Sequence, residues 1–133
     1  MNIVVYAFSG ITLFHLAAPL LVFGEVRRQG LATDWRTTVF SDDGAPIRSA
    51  EGVLLDDLAG AEAVATADLL VLPSWPADLP PVGDSLATLV REAHDRGAAV
   101  AGLCLGAAAT TSPSPTRPCP SRTPRCISTT GMS

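Results

Sequence analysis

Short apolar runs alternate along the chain with longer segments in which apolar residues recur every three or four positions. The first run, residues 2–8 (NIVVYAF), is apolar on consecutive positions, as expected of a strand buried on both faces of a parallel sheet. Ser9 and Gly10 make the turn after it, and Thr12 is placed to cap a helix. Along that helix Leu13, Leu16, Ala17, Leu20, Leu21 and Phe23 recur near helical spacing. Pro19 falls inside and predicts a kink or a new start, and Gly30 ends the helix.

A second strand is predicted over 35–41, rich in β-branched and aromatic residues. The turn Asp42-Asp43-Gly44 follows, and 47–55 suits a small hairpin or irregular excursion. Residues 59–67 are short and Ala-rich, and their pattern assigns no element. A third strand over 68–72 is halted by Pro73; with Pro76, Pro80 and Pro81 close behind, a rigid loop is expected. Asp84 can cap a helix reaching Arg96, with Leu86, Leu89, Val90 and Ala93 inward and Gly97 as its stop. Residues 98–103 form the fourth strand. This alternation predicts an α/β, flavodoxin-like parallel sheet with helices on both faces. Three loops then share the carboxyl edge where such sheets bind ligands: 9–15, 73–76 and the turn at Cys104.

From residue 107 onward the pattern disappears. That stretch holds five prolines, eleven Ser or Thr, three Arg and no acid. It cannot bury enough apolar surface to offset its ordering entropy, so a disordered tail is expected over 108–133, after a domain spanning 1–107. A frameshift or truncation near residue 107 would account for the change; choosing GC-rich codons, another frame of the tail reads as ordinary folded sequence. An incomplete sheet would leave the fourth strand as an apolar edge, open to aggregation or to pairing with another chain.

Composition narrows the setting. At 47% hydrophobic, the 133 residues suit one globular domain. A net charge of −4 repels nucleic acid, and all nine basic residues are Arg. No apolar stretch approaches a membrane span, and Met1 opens directly into a strand with no leader pattern, so a cytoplasmic chain is expected. Three cysteines, Cys104, Cys119 and Cys126, match no zinc spacing and read as reduced thiols.

Gly102-Leu103-Cys104-Leu105-Gly106 carries the chemistry. A cysteine between glycines after an apolar strand is what a strand-to-helix nucleophile turn requires. An adjacent base or cation would make such a thiol a thiolate nucleophile; the plain alternative is a buried structural cysteine. His94 reads as a solvated helix-end residue, and Asp42-Asp43 and Asp56-Asp57 as surface acids rather than metal ligands. Arg27-Arg28 reads as a helix-end pair. Trp75 could line a pocket mouth or pack on the core.

Three pieces in this order resemble the DJ-1/PfpI family of the class I glutamine amidotransferase-like fold: 6–24 (YAFSGITLFHLAAPLLVFG), 67–76 (ADLLVLPSWP) and 96–107 (RGAAVAGLCLGA). The flavour is that of the N-terminal domain of AraC-type transcription regulators. The resemblance implies that Cys104 is the reactive thiol, within the turn framed by Gly102 and Gly106. It implies that the N–H groups of Leu105 and Ser74 are oxyanion-hole donors, with Ser74 where glycine is usual. His15 stands where the family has an acid on the first helix; it either pairs with Cys104 or marks drift in a domain that no longer catalyses. The histidine that usually follows the turn has no counterpart after His94. The expected function is small-molecule sensing or regulation, catalytically incompetent in this form, with no cofactor, no metal, no direct DNA contact and a possible homodimer. A cysteine-dependent hydrolase, hydratase or glyoxalase-like enzyme acting through Cys104 is the rival, and a defunct remnant the third reading.

Overall fold

The computed structural model describes residues 1–111. β1 (Asn2–Tyr6), β5 (Leu69–Leu72) and β6 (Ala99–Gly102) line up with β2 (Arg36–Phe40) in one parallel sheet, ordered β2-β1-β5-β6. β3 (Ile47–Arg48) and β4 (Leu54–Leu55) form a separate antiparallel hairpin, at the place where an excursion was expected. The expected α/β architecture is thus present.

Period-two alternation in β1 supplies both cores. Ile3, Val5 and Ala7 face one side, where Ile11, Leu16, Ile47 and Val71 join them under α1 (Leu13–Arg28). Val4 and Tyr6 face the other, with Phe40, Leu70, Leu72, Leu86 and Ala93, under α2 (Asp84–Asp95). Burying such side chains contributes roughly 1.5–3 kcal/mol each, so helices on both faces are what an apolar β1 demands. The predicted inner face of α2 holds: Leu86 and Ala93 are buried, and Leu89 and Val90 pack beside them. The Ala-rich stretch that the pattern left unassigned is a 3₁₀ helix, Ala61–Thr66, whose Val64 joins the same core.

Local details depart from expectation. Helix α1 runs unbroken through Pro19. Thr12 occupies its N-cap position but gives no side-chain cap; the Glu51 carboxylate, arriving from the hairpin, accepts the Leu13 N–H at 3.2 Å. Asp84 is the first helical residue of α2 rather than its cap, which is Gly83. There its charge still favours the helix dipole. Leu21, expected inward, is 71% exposed, because the sheet is met by Leu16, Leu20 and Phe23 instead. After β6, α3 (Gly106–Thr111) carries the described chain past the boundary expected at 107. The rest of the expected tail, with Cys119 and Cys126, lies outside the described residues. None of the described helices is long and apolar enough to cross a membrane.

Candidate functional site

Strand β6 delivers the turn. The Leu103 N–H donates to the Leu72 carbonyl at 2.9 Å, tying the turn to the end of β5 before the chain reverses. Cys104 then takes φ 52°, left-handed for a non-glycine residue, and Gly106 and Ala107 N–H groups close back onto the Leu103 and Cys104 carbonyls. A non-glycine residue in this region costs of order 1–3 kcal/mol and persists only where its surroundings hold it. The glycines supply that hold. A Cβ on Gly106 would lie 1.9 Å from the Leu72 oxygen, and one on Gly102 would lie 2.6 Å from the Gly106 oxygen. Only bare backbone lets the turn dock this closely. The thiol of Cys104 is free and exposed rather than a buried structural cysteine.

The loop after β5 faces this turn. Ser74 is buried, and its backbone nitrogen is 3.2 Å from where a Cβ on Gly106 would be. Among the described residues, neither the Ser74 N–H nor the Leu105 N–H donates to a protein acceptor. Two backbone donors without a protein acceptor therefore lie close to Cys104, Leu105 next to it in the chain and Ser74 beside Gly106. Trp75 resolves toward the core: it is 9% exposed, its ring lies 6.2 Å from that of Phe8, and its indole N–H donates to the Pro80 carbonyl at 2.8 Å. That bond pins the Pro-rich loop, and the Phe8 contact ties it to the loop after β1. The 73–76 loop and the Cys104 turn thus adjoin at the carboxyl edge of β5 and β6, and the loop 9–15 leaves the same edge from β1.

His15 sits on the first turn of α1, half-buried, with its ring edge-on to Phe14 at 5.7 Å. Its hydrogen-bond partner is the hydroxyl of Thr12, at Nδ1. Among the described residues no hydrogen bond joins His15 to Cys104. Thr12 is a residue the sequence reading took only for a cap. The three-residue spacing at a helix start was the available signal, because residues three apart share a face. An imidazole bound at Nδ1 leaves Nε2 as the nitrogen without a hydrogen-bond partner among the described residues.

Two other titratable side chains near the strand ends have local partners. Tyr6 donates to both oxygens of Asp42, at 3.1 and 3.2 Å. Burial, then the Asp42 charge and that hydrogen bond, push the phenol well above its usual range, so it stays neutral. Asp43 accepts the Ala45 N–H, as a turn acid does. His94 lies exposed in the last turn of α2. No cluster of three metal-ligating side chains occurs among the described residues. A hollow of about 580 Å³ on the β2 side, between Leu16, Leu20, Thr38 and Leu58, does not include Cys104 and is not the site argued from chemistry.

A doubly covered parallel sheet whose last described strand runs into a strained cysteine turn gives the chain a DJ-1/PfpI-like fold. The chain belongs to the same family as the "uncharacterized protein in cpoL 5'region" of Streptomyces lividans, with which it is 39% identical over 108 residues, 80% of this chain and 74% of that one. Solved structures agree on the fold. A protein from Vibrio parahaemolyticus, provisionally described as a transcriptional regulator, matches with a TM-score of 0.67 at 17% identity over 80% of this chain. A DJ-1 superfamily protein from Agrobacterium tumefaciens matches at 0.63 and 22% over 83%, and an AraC family transcriptional regulator from Pseudomonas putida at 0.57 and 24% over 76%. The chain spans 57%, 56% and 62% of those three structures. No protein-family model matches the chain.

Proposed function

We propose that this chain is a small-molecule-sensing domain of a regulator, in which the Cys104 turn and the loop at Ser74 mark the ligand site. The observation that carries it is the pair of unspent N–H donors of Ser74 and Leu105 close to an exposed thiol. Two neighbouring backbone donors without acceptors, and no carboxylate among the assigned site residues, suit a carbonyl or carboxylate oxygen. The likeness to regulator structures supports sensing over turnover. So does His15: its Nδ1 is bound to Thr12, and no acid stands in its place on α1. The described residues carry no direct DNA contact in this reading, and a reduced Cys104 suits a cytoplasmic setting.

The strained turn keeps a second reading alive, a hydrolase, hydratase or glyoxalase-like enzyme with Cys104 as nucleophile. A panel of small carbonyl, carboxylate and isonitrile compounds separates the two. Sensing predicts saturable rises in Tm without turnover, about 2.7 kcal/mol of stabilisation at a hundredfold excess over Kd. Turnover abolished by Cys104→Ser, with Cys104 alkylated at pH 6 far faster than Cys119 and Cys126, makes the protein an enzyme and ends the sensing reading. Neither a Tm rise nor turnover leaves a remnant with no site.

A further inference from the structure

Between α1 and the outer edge of β2 the fold leaves a hollow of about 580 Å³, within the range that small organic ligands occupy. Its outer wall is anchored at both ends. β4 pairs with β3 through Leu55 and Ile47, and further on the Ala59 N–H donates to the Val39 carbonyl at 3.0 Å. Leu16 and Leu20 from α1, with Leu55 and Leu58 from the returning segment, make the lining apolar. All four also belong to the core packed around Ile3 and Val5, so the lining is part of the fold rather than of a loose surface loop.

Two carboxylates border this apolar lining. Asp56 and Asp57 are both exposed and both line the hollow. Asp56 spends one oxygen on the Asp57 N–H at 2.7 Å, and Asp57 takes φ 58°. Among the described residues neither acid forms an ion pair. The hollow on the far side of α1 differs in this respect, because its acid, Glu25, is already bound by Arg28 at 2.8 Å and by Gln29 at 2.6 Å. A hard divalent cation takes six or more oxygens, and no group of three ligating side chains occurs among the described residues. Leucines beside two unpaired carboxylates suit an organic cation instead. Its alkyl chain leaves water for the leucines, while its ammonium N–H groups donate to the carboxylates. The net charge of −4 favours the approach of such a cation.

We propose that this hollow is a second ligand site, which takes a small aliphatic ammonium ion with its chain on the four leucines and its head at Asp56 and Asp57. The inference stands apart from the reading of Cys104. Amide chemical shifts of the full chain, titrated with butyl-, pentyl- and hexylammonium, test it. Saturable shifts should appear at residues 37–39 and 55–59, and Kd should fall about two- to fourfold per added methylene. Neutral 1-hexanol should bind about fivefold more weakly than hexylammonium, the scale of an exposed charge pair, and hexanoate more weakly still. Asp56→Asn with Asp57→Asn should cost hexylammonium about the same factor and leave hexanol unchanged. Asparagine keeps an acceptor at 56 and tolerates the left-handed backbone at 57, so this variant should keep the wild-type circular dichroism. Thr37→Trp, a large ring from an exposed position on the lining, should block hexylammonium and hexanol alike. Shifts that do not saturate, or that fall elsewhere, overturn the proposal. So does hexanol binding as tightly as hexylammonium, a comparison on the wild type that decides the matter even if the Asn pair disturbs the fold.

Discussion

At one edge of the sheet, β2 is finished off by the chain itself. Its final residue Phe40 is bridged to Ala59, with the Ala59 N–H on the Val39 carbonyl and the Ser41 N–H on the Ala59 carbonyl, both at 3.0 Å. Upstream, Arg36, Thr37 and Thr38 present polar side chains to solvent. At the other edge β6 has no such cover among the described residues. Ala99 and Leu103 spend their N–H groups on β5, so by alternation those of Val100 and Gly102 face outward, on a strand with no charge, proline or bulge. The protected edge lies far from the chemistry and the bare one leads straight into Cys104. Here the cysteine turn hangs from a strand paired on one side, and what fixes it is backbone contact with β5 rather than a neighbouring strand.

If that contact is what holds the turn, Gly106→Ala should be the most damaging substitution. Its Cβ meets the Leu72 oxygen, and about 3 kcal/mol or more of stability should be lost, read by urea denaturation. The matching change on the β2 side is Gly44→Ala. Gly44 has φ 74° and would set its Cβ 3.3 Å from the Gly60 nitrogen, so about 1 kcal/mol is expected. Equal costs would show that the two sides are held alike.

Edge chemistry makes a second, smaller difference. Ala99→Lys places a charge on the bare edge and should suppress concentration-dependent light scattering while changing stability by no more than about 0.5 kcal/mol. Thr37→Lys, on an edge already polar, should leave scattering unchanged. Suppression by both would mean that net charge, not the β6 edge, governs association.

The smallest effect concerns the hairpin that caps α1. Burial raises the Glu51 carboxyl, but hydrogen bonds from its own N–H, from Leu13 and from Ser49 outweigh it and hold it below its usual range. A depressed carboxylate adds stability above its unfolded pKa and loses it as pH falls through the folded one. Glu51→Gln should therefore lower Tm slightly near neutrality, and the gap from wild type should close on acidification below the ordinary carboxylate range. A gap that persists in acid would make the cap a packing contact rather than an electrostatic one.

The site was partly legible before the fold was known. Cys104 between Gly102 and Gly106 announces its turn because the steric demand is local, and the burial of Gly106 against Leu72 agrees with it. The resemblance put His15 on the first helix and Ser74 on the loop after β5, where both lie. What His15 does could not be read, since its Thr12 partner looked like a cap. Leu21 illustrates the opposite failure. A helix with apolar residues nearly all round gives no periodic clue to which stripe meets the sheet.

By itself the sequence determined the succession of strands and helices, the two-faced burial of β1, the inner face of α2 and the strained cysteine turn. Each depends on side-chain periodicity or backbone sterics within a few neighbouring residues. Tertiary structure alone decided the order β2-β1-β5-β6, the capping of Leu13 by Glu51 thirty-eight residues away, the inward turn of Trp75, and the open face of α1. Those are contacts between distant segments, whose partners are chosen by which surfaces remain to be buried once the local elements have formed.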